Sequence, residues 1–454
     1  MDAQNNKLTL LGSAPVPQAL LALGVPIMIG MLINALYNLA DAYFVGRLGQ
    51  SPLGAISVAF PLGQTVVGLG LMFGNGAASC LSRLLGRGDT HTADQVAATA
   101  LYSGLALGAG VILAGMLFLE PLLRLLGATE TILPYALDYA RIYLPSCIFN
   151  LFNVTMNNIA SSEGAAKTAM CALLLGAGLN LVLDPLLIYG LHQGVAGAAV
   201  ATALSQMVST LVYLSYILRG KSAFSFRPCS FSPSPRMLGE ILKIGVPTLS
   251  FQLLTSLSAA LINHAASPYG DPVLAGMGAV TRITSMGTLV VFGFLKGFQP
   301  VAGFSYGAKN YARLRAAAGT ALVWSTGFCL LAGLGAAAFS GPIMGWFAQG
   351  SPEMLAAGQR SLAASGFSFV LFGFYTVVSS LLLALGRGAA GFFLGACRQG
   401  ICFVPLILLL PRLWGLRGVL YAQPLADLLS AAVALVVAGR LYRQLKQEEE
   451  DFRG

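Results

Sequence analysis

Residues 166–189 read AKTAMCALLLGAGLNLVLDPLLIY, an almost continuous apolar stretch with one carboxylate, Asp184, near its far end. A helix needs about 20 apolar residues to cross the hydrocarbon core of a bilayer, so this stretch is long enough to span a membrane. The whole chain of 454 residues is 56% hydrophobic and only 9% charged. Soluble domains carry about 25% charged residues. The composition therefore excludes a soluble globular protein and predicts an all-α membrane protein.

Similar apolar stretches, bounded by Gly, Pro and charged residues, recur along the rest of the chain. They predict twelve membrane-spanning helices at 17–45, 53–82, 94–118, 134–160, 166–189, 195–219, 240–265, 273–304, 312–339, 356–385, 391–411 and 418–442. With both termini in the cytoplasm, most Lys and Arg residues fall on the inner side, as the positive-inside rule requires. Inner loops thus account for the net charge of +9, with no need for a nucleic-acid partner. We expect a multi-pass protein of the cell inner (plasma) membrane, embedded in the lipid bilayer.

The two halves of the chain resemble each other at a shift of about 221 residues. Leu23-Gly24-Val25-Pro26 corresponds to Ile244-Gly245-Val246-Pro247, and Gly86 corresponds to Gly307. The pattern predicts three parts: an N-terminal six-helix bundle at 1–219, a Pro/Ser-rich cytoplasmic linker at 220–240 and a C-terminal six-helix bundle at 241–454. Because each half has an even number of helices, both enter the membrane from the same side. A cleft between two such bundles suits alternating access.

Carboxylates inside the apolar helices are the strongest candidates for function, because an ionisable group there costs roughly 2.5–3.5 kcal/mol on insertion scales. Asp41 on the first helix and Asp184 on the fifth lie at a similar predicted depth, towards the outer side. Asn180 precedes Asp184 by one turn, and Thr202 on the sixth helix reaches the same depth. Oxygen-rich clusters suit a hard cation such as Na⁺, whereas two adjacent carboxylates can instead share a proton. These residues therefore predict a coupling site for H⁺ or Na⁺.

Other polar residues surround this predicted site. Four of them are candidates for a cleft or hydrogen-bond network: Asn34, Tyr37, Asn38 and Tyr139. For Asn34 or Asn38 alone, ordinary hydrogen bonding between helices is the favoured interpretation. Pro26 interrupts the first helix and predicts either a hinge or a static kink, which the sequence does not distinguish.

The second half lacks these oxygen ligands. At the repeat shift, Asp41 corresponds to Ile262, Asn180 to about Cys402 and Asp184 to about Leu406. Asp427 on the last helix is the exception, and we interpret it as a packing partner for a base such as Arg398 rather than as an ion ligand. The sequence therefore predicts an ion site in the first bundle only.

Six short motifs are spread along nearly the whole chain: Ala40-Asp41 with Gly46, Ser162-Glu163-Gly164, Leu179-Asn180-Leu181-Val182-Leu183-Asp184-Pro185, Gly194-Val195-Ala196-Gly197-Ala198-Ala199-Val200-Ala201-Thr202, Arg398-Gln399 and Gln423-Pro424-Leu425-Ala426-Asp427. Together they resemble the multidrug and toxic compound extrusion (MATE) family. The resemblance implies a V-shaped fold of two six-helix bundles. It also implies export of organic cations and other amphipathic drugs, driven by inward flow of Na⁺ or H⁺.

The same resemblance implies roles for individual residues. The ion would bind at Asp41, Asn180, Asp184 and Thr202, which agrees with the site predicted from the residues themselves. Another branch of the family uses a Glu on the seventh helix. The matching position here is Thr255, so that second site is not expected.

Two other classes of function compete with a cation-coupled drug antiporter. A flippase of a related fold for lipid-linked precursors would need a cleft rich in Arg and Lys. Arg282, expected to face the cleft or an acid, is the only clear base at mid-membrane depth, which favours the antiporter. An intramembrane enzyme is not expected, because the chain has three His and lacks H-E-x-x-H, C-x-x-C and P-loop motifs. We further expect a monomer with no cofactor besides the coupling ion.

Overall fold

A computed structural model describes residues 7, 9–48, 50–126, 128, 130–348 and 352–453, which contain helices and no strand. The helices of the first half are α1 (Val16–Gly46), α2 (Gln50–Arg87), α3 (Thr90–Leu117), α4 (Leu119–Leu125), α5 (Leu133–Ser162), α6 (Ala166–Pro185) and α7 (Gly194–Leu218). Those of the second half are α8 (Pro235–Ala266), α9 (Asp271–Gly307), α10 (Tyr311–Ala338), α11 (Ser340–Ala348), α12 (Pro352–Ala384), α13 (Gly388–Ala396), α14 (Phe403–Trp414) and α15 (Leu416–Arg453).

Twelve spans arranged as two six-helix bundles confirm the predicted fold class. The short helices α4 and α11 connect spans, and α13 and α14 form one span through a π-helical turn at Cys397–Ile401. Within the described residues, 11 helices are long and apolar enough to cross a membrane by composition alone. The remaining span is α5, whose hydropathy is lowered by amides such as Asn153 and Asn157 that point into the first bundle.

Helices α1 and α2 of the first half pack against α8 and α9 of the second. Glycines at the crossing allow the backbones to touch. A Cβ on Gly86 would lie 2.1 Å from the carbonyl oxygen of Phe304, and a Cβ on Gly307 would lie 2.1 Å from that of Arg83. These two contacts are related by the shift of the internal repeat. The end of the molecule at which α1 begins and α2 ends, here called the terminal end, is therefore closed between the halves.

The N-terminal segment adds to closure of the terminal end. The Arg313 guanidinium on α10 donates to the carbonyls of Leu10, Leu11 and Ala14, at 3.2, 3.0 and 2.5 Å. These bonds satisfy carbonyls near the start of α1 and bind them to the second half of the chain. The cavities of the protein begin beyond this closed end.

Several helices extend beyond the predicted apolar stretches. Helix α8 begins at Pro235 instead of residue 240, and α15 ends at Arg453 instead of residue 442. Their outer turns are polar, so they carry no membrane signal, although they remain helical in water. The irregular segment before α8 lies along α3: the Tyr102 hydroxyl donates to the Phe226 carbonyl at 2.7 Å.

Candidate functional site

Asp41 and Asp184 come together inside the first bundle. Helices α1 and α6 pack along each other, and the two carboxyl groups lie close enough to interact directly. Asp184 is fully buried, with 0% of its surface exposed. Carboxylates are acceptors only, so two of them share a hydrogen bond only when one carries a proton. This contact between two separate helices is the central feature of the predicted site.

Asn180 completes a cluster of oxygens around the acid pair. Its Nδ2 donates to Asp184 Oδ1 at 3.4 Å, one helical turn away. Three buried oxygens of the cluster meet no N–H or O–H donor among the described residues: Asp41 Oδ1, Asn180 Oδ1 and Asp184 Oδ2. A buried acceptor without a partner costs about 1–3 kcal/mol. The cluster is therefore suited to a proton or a small cation.

The chain leaves regular α-helical geometry directly after Asp184. Pro185 ends α6, and residues Leu186–Gly190 form a π-helical turn. Proline has no amide hydrogen, so the carbonyl four residues earlier, that of Leu181, loses its helical bond. Single π-helical turns are frequent at functional sites.

Thr202 on α7 lies in the same region but is not bonded to the acids. It is buried and borders a cavity of about 520 Å³ in the first bundle, together with Asn180. Within the described residues, no hydrogen bond joins Thr202 to Asp41 or Asp184. The structure thus brings together three members of the predicted set and places the fourth on the neighbouring cavity wall.

The predicted network residues also lie close to the acid pair. Tyr37 interacts electrostatically with Asp41 and Asp184. Tyr139 is buried, interacts with Asp41, and stacks on Tyr143 with ring centroids 5.0 Å apart. The other two network candidates divide: Asn34 borders the first-bundle cavity, whereas the Asn38 side chain lies outside the described part of the structure.

Pro26 lies inside α1, which is helical on both sides of it. The neighbouring turn packs on the second half, because a Cβ on Gly24 would meet the Phe294 ring at 2.9 Å. Helix α1 therefore carries Asp41 at one end and an inter-bundle contact at the other, with the proline near that contact.

The second bundle pairs its acid with a base. Asp427 accepts from Arg398 Nε at 2.8 Å, from Gln423 at 2.9 Å and from Ser368 at 3.1 Å. This confirms that Arg398 is the packing partner of Asp427. The Thr255 hydroxyl donates to the Phe251 carbonyl of its own helix. This position therefore offers no carboxylate comparable to the Glu that another branch of the family uses.

Three adjoining cavities run through the molecule, and Gln252 borders all of them. Besides the first-bundle cavity, they are a middle cavity of about 290 Å³ and a second-bundle cavity of about 470 Å³. As expected, Arg282 faces the cleft, at the second-bundle cavity. The interpretation that Arg282 is the only clear base at this depth is wrong, because Lys296 and Arg398 border the middle cavity. The sequence shows both bases inside apolar helices, but not which side of the helix they face.

Another buried carboxyl, Glu163, lies directly after α5, and the sequence does not predict its burial because it falls outside the apolar stretches. It accepts from the Tyr216 hydroxyl, the Ser222 hydroxyl and the Ala223 amide, and forms an ion pair with Lys7 at 3.8 Å. Burial raises the pKa of Glu163, while Lys7 opposes that rise. This residue holds the N-terminal segment and the start of the linker at the terminal end.

The comparisons with known proteins agree with this architecture. The sequence profile of the MatE family matches twice, at residues 26–186 and 247–409. The multidrug export protein MepA of Staphylococcus aureus is 28% identical over 440 residues, 97% of each chain. A solved MATE structure in the bent conformation has a TM-score of 0.92 at 29% identity, covering 98% of this chain and 99% of that one.

A second solved structure is described as the outward-facing conformation of a multidrug resistance MATE family transporter of the MOP superfamily. It has a TM-score of 0.90 at 30% identity and covers 97% of this chain and 98% of that one. Matches of this extent cover nearly all of the chain. The chain belongs to the MatE family of membrane transporters.

Proposed function

We propose that this transporter is a cation-coupled antiporter that exports amphipathic small molecules by alternating access. The observation that carries the proposal is the cluster of Asp41, Asn180 and Asp184, with three buried oxygens that no donor satisfies. A bound proton or cation would supply the missing partner. Purely structural polar contacts between helices are normally satisfied within the protein.

The coupling ion is H⁺ or Na⁺. A proton would be shared between Asp41 and Asp184 and relieve their repulsion. Sodium would be held by oxygens of Asp41, Asn180 and Asp184, with Thr202 contributing after a small movement of α7. Hard cations prefer such carboxylate and amide oxygens.

Helix α1 offers a physical link between ion and drug. It packs against α6, where the ion binds, and against α9 of the second half. An ion that draws Asp41 and Asp184 together changes how α1 lies on α6. Because Pro26 removes one helical hydrogen bond, α1 can bend near its contact with α9. We propose Pro26 as the hinge of this movement.

The halves are in contact at the terminal end, which the predicted topology places in the cytoplasm. In that orientation the structure is closed to the cytoplasm and its cleft faces outward. Opening to the cytoplasm requires separation of the glycine contacts at Gly86 and Gly307. When this crossing is closed, the cleft releases drug to the outside. When the crossing is open, the cleft takes up drug from the cytoplasm.

Amphipathic molecules suit the cleft because both aromatic side chains and amides line its walls. The family resemblance implies organic cations among them. We also propose that the protein acts as a monomer in the plasma membrane with both termini cytoplasmic, transports rather than catalyses, and needs no cofactor besides its ion. The division at residues 220–240 into two bundles and a linker belongs to the same proposal.

Transport by the purified protein in vesicles tests the proposal, with sodium and pH gradients imposed separately. One gradient should drive uptake of a fluorescent amphipathic dye, which identifies the ion. Asp41→Asn and Asp184→Asn should abolish gradient-driven transport, whereas Asp138→Asn, the same change at an exposed position, should not. Normal gradient-driven transport by either site variant would refute the coupling site.

A further inference from the structure

The charges that border the cleft have the opposite sign from those expected around an organic cation. Three bases border the three cavities: Arg282, Lys296 and Arg398. Among the described residues, Asp427 is the one carboxylate on the same walls. Asp184 is fully buried away from these walls and is engaged with Asp41.

Only one of these bases is neutralised by the protein. Arg398 forms an ion pair with Asp427 at 2.8 Å, and its guanidinium lies over the Phe372 ring at 4.7 Å from the centroid. None of the ion pairs or hydrogen bonds of the described residues involves the side chains of Lys296 or Arg282. Two positive charges of the cleft are therefore left without a protein counter-charge.

An uncompensated base at membrane depth is costly, so its retention indicates a ligand that supplies the opposite charge. Lys296 is half-buried where the first-bundle and middle cavities meet. Beside it, the phenyl rings of Phe251, Phe292 and Phe392 form an apolar wall of the middle cavity. A site with isolated bases and an aromatic wall matches a molecule with an acidic head and a hydrophobic body.

We propose that the cleft binds amphipathic molecules that carry an acidic group, with Lys296 and Arg282 as the residues that recognise that group. The group is a carboxylate, sulfonate or phosphate, and a phosphate could belong to a soluble drug or to a lipid-linked molecule. This inference rests on the proposed export function, and it names the opposite charge class from the organic cations implied by resemblance. The same two positive charges should weaken the binding of organic cations relative to anions of similar shape, because like charges repel.

Equilibrium binding tests the proposal without any ion gradient, so failure of ion coupling cannot be confused with failure of this inference. The full-length protein in neutral detergent is titrated with sulforhodamine B, an anion, and with rhodamine 6G, a cation built on the same ring system. We expect the anion to bind about tenfold more tightly than the cation. Tighter binding of the cation would overturn the proposal.

Variants assign the effect to the two bases. Lys296→Gln and Arg282→Gln should each weaken sulforhodamine B binding by about fivefold or more. Lys296→Arg keeps the positive charge and should retain most of the parent affinity. Lys167→Gln removes the same charge at an exposed site on α6 and should change nothing. Lys296→Gln should also unfold no more easily than the parent protein, because the lysine has no partner to lose. Unchanged anion binding in the double variant of Lys296 and Arg282 would contradict the assignment.

Competition identifies the source of the acidic group. A polyprenyl monophosphate and a soluble alkyl sulfonate are each added to the dye complex. Equal displacement supports a general site for amphipathic anions, whereas much stronger displacement by the polyprenyl compound supports recognition of a lipid-linked phosphate. Failure of both to displace the dye would contradict the proposal.

Discussion

The two bundles share one fold but treat their buried acids in opposite ways. In the first bundle, Asp41 and Asp184 face each other, and one oxygen of each lacks a donor. In the second bundle, Asp427 accepts three hydrogen bonds, one of them from the charged Arg398. The two bundles differ in whether the oxygens of their buried acids accept hydrogen bonds, not in how many polar atoms they contain.

This difference indicates what each acid does for the protein. A paired and hydrogen-bonded carboxylate such as Asp427 fixes the positions of the helices that supply its donors. An unsatisfied pair such as Asp41 and Asp184 is stabilised only when a proton or cation binds to it. A repeated fold can thus keep one half as a rigid support and use the other as the ion-responsive half.

The largest expected effect comes from removing the charge at Asp184. Asp184→Asn should abolish gradient-driven transport in vesicles, because no proton or cation can then be shared with Asp41. Leu406→Asn places the same amide at the repeat-related position of the second bundle and should keep transport within about twofold of the parent rate. Equal losses in both variants would show that the bundles do not differ in function.

A transplanted acid provides a second test of this asymmetry. Thr255→Glu introduces a carboxylate into the second-bundle cavity, at the position where another branch of the family carries one. We expect it not to restore transport to Asp184→Asn, because Asp427 and Arg398 already satisfy each other nearby. Rescue would mean that either bundle can host the coupling site.

The glycine crossing tests whether the two halves contribute equally to closure. Gly86→Ala and Gly307→Ala each place a Cβ 2.1 Å from an opposing carbonyl, so each should destabilise the closed terminal end by about 1–3 kcal/mol. Hydrogen–deuterium exchange should rise at the ends of α2 and α9 in both variants. Gly110→Ala, where a Cβ meets nothing within 4 Å, should leave exchange unchanged.

Most of the fold and part of the site follow from the sequence. Apolar length predicts all twelve spans, and isolated carboxylates inside them predict the meeting of Asp41 and Asp184. Apolar length does not predict the end of a helix that continues as polar turns, as α15 does to Arg453. The role of Lys296 could not be predicted, because the sequence does not reveal which side of α9 borders a cavity. Glu163 gives no apolar signal, since its burial depends on the linker folding over it.

Stability should respond in opposite directions to loss of the two kinds of acid. Asp427→Leu leaves the half-buried Arg398 guanidinium without its ion-pair partner and should lower the free energy of unfolding by about 1–3 kcal/mol. Asp184→Leu removes an unsatisfied buried carboxyl and should raise the thermal unfolding temperature. The double variant of Arg398→Met and Asp427→Leu should recover most of the loss. A fall in stability for Asp184→Leu would contradict the comparison.

The smallest expected effect concerns the turns that follow α5 and α12, where the residue before the turn glycine differs between the halves. Gly164 and Gly386 both have positive φ, at 86° and 78°, so the two turns are alike. The residue before each glycine is Glu163 in the first half and Leu385 in the second, and both are buried. Glu163→Leu therefore gives the turn of the first half the residue that the second half has at this position. It should keep the turn but remove the acceptor of the Ala223 amide, at a cost of about 1–3 kcal/mol.

Limited proteolysis of the 220–234 segment and thermal unfolding in detergent measure this change, with Glu163→Gln as the matched control. The amide of Glu163→Gln keeps an oxygen acceptor, so its linker should stay protected.

The pH dependence of stability separates the two variants from the parent protein. Because burial raises the pKa of Glu163 above its ordinary value of 4.5, the folded state binds a proton more tightly than the unfolded state. Stability from this residue is then complete below about pH 4.5 and is lost as pH rises through the raised pKa. Both variants should lack this slope, and a slope retained in Glu163→Gln would assign it to another group.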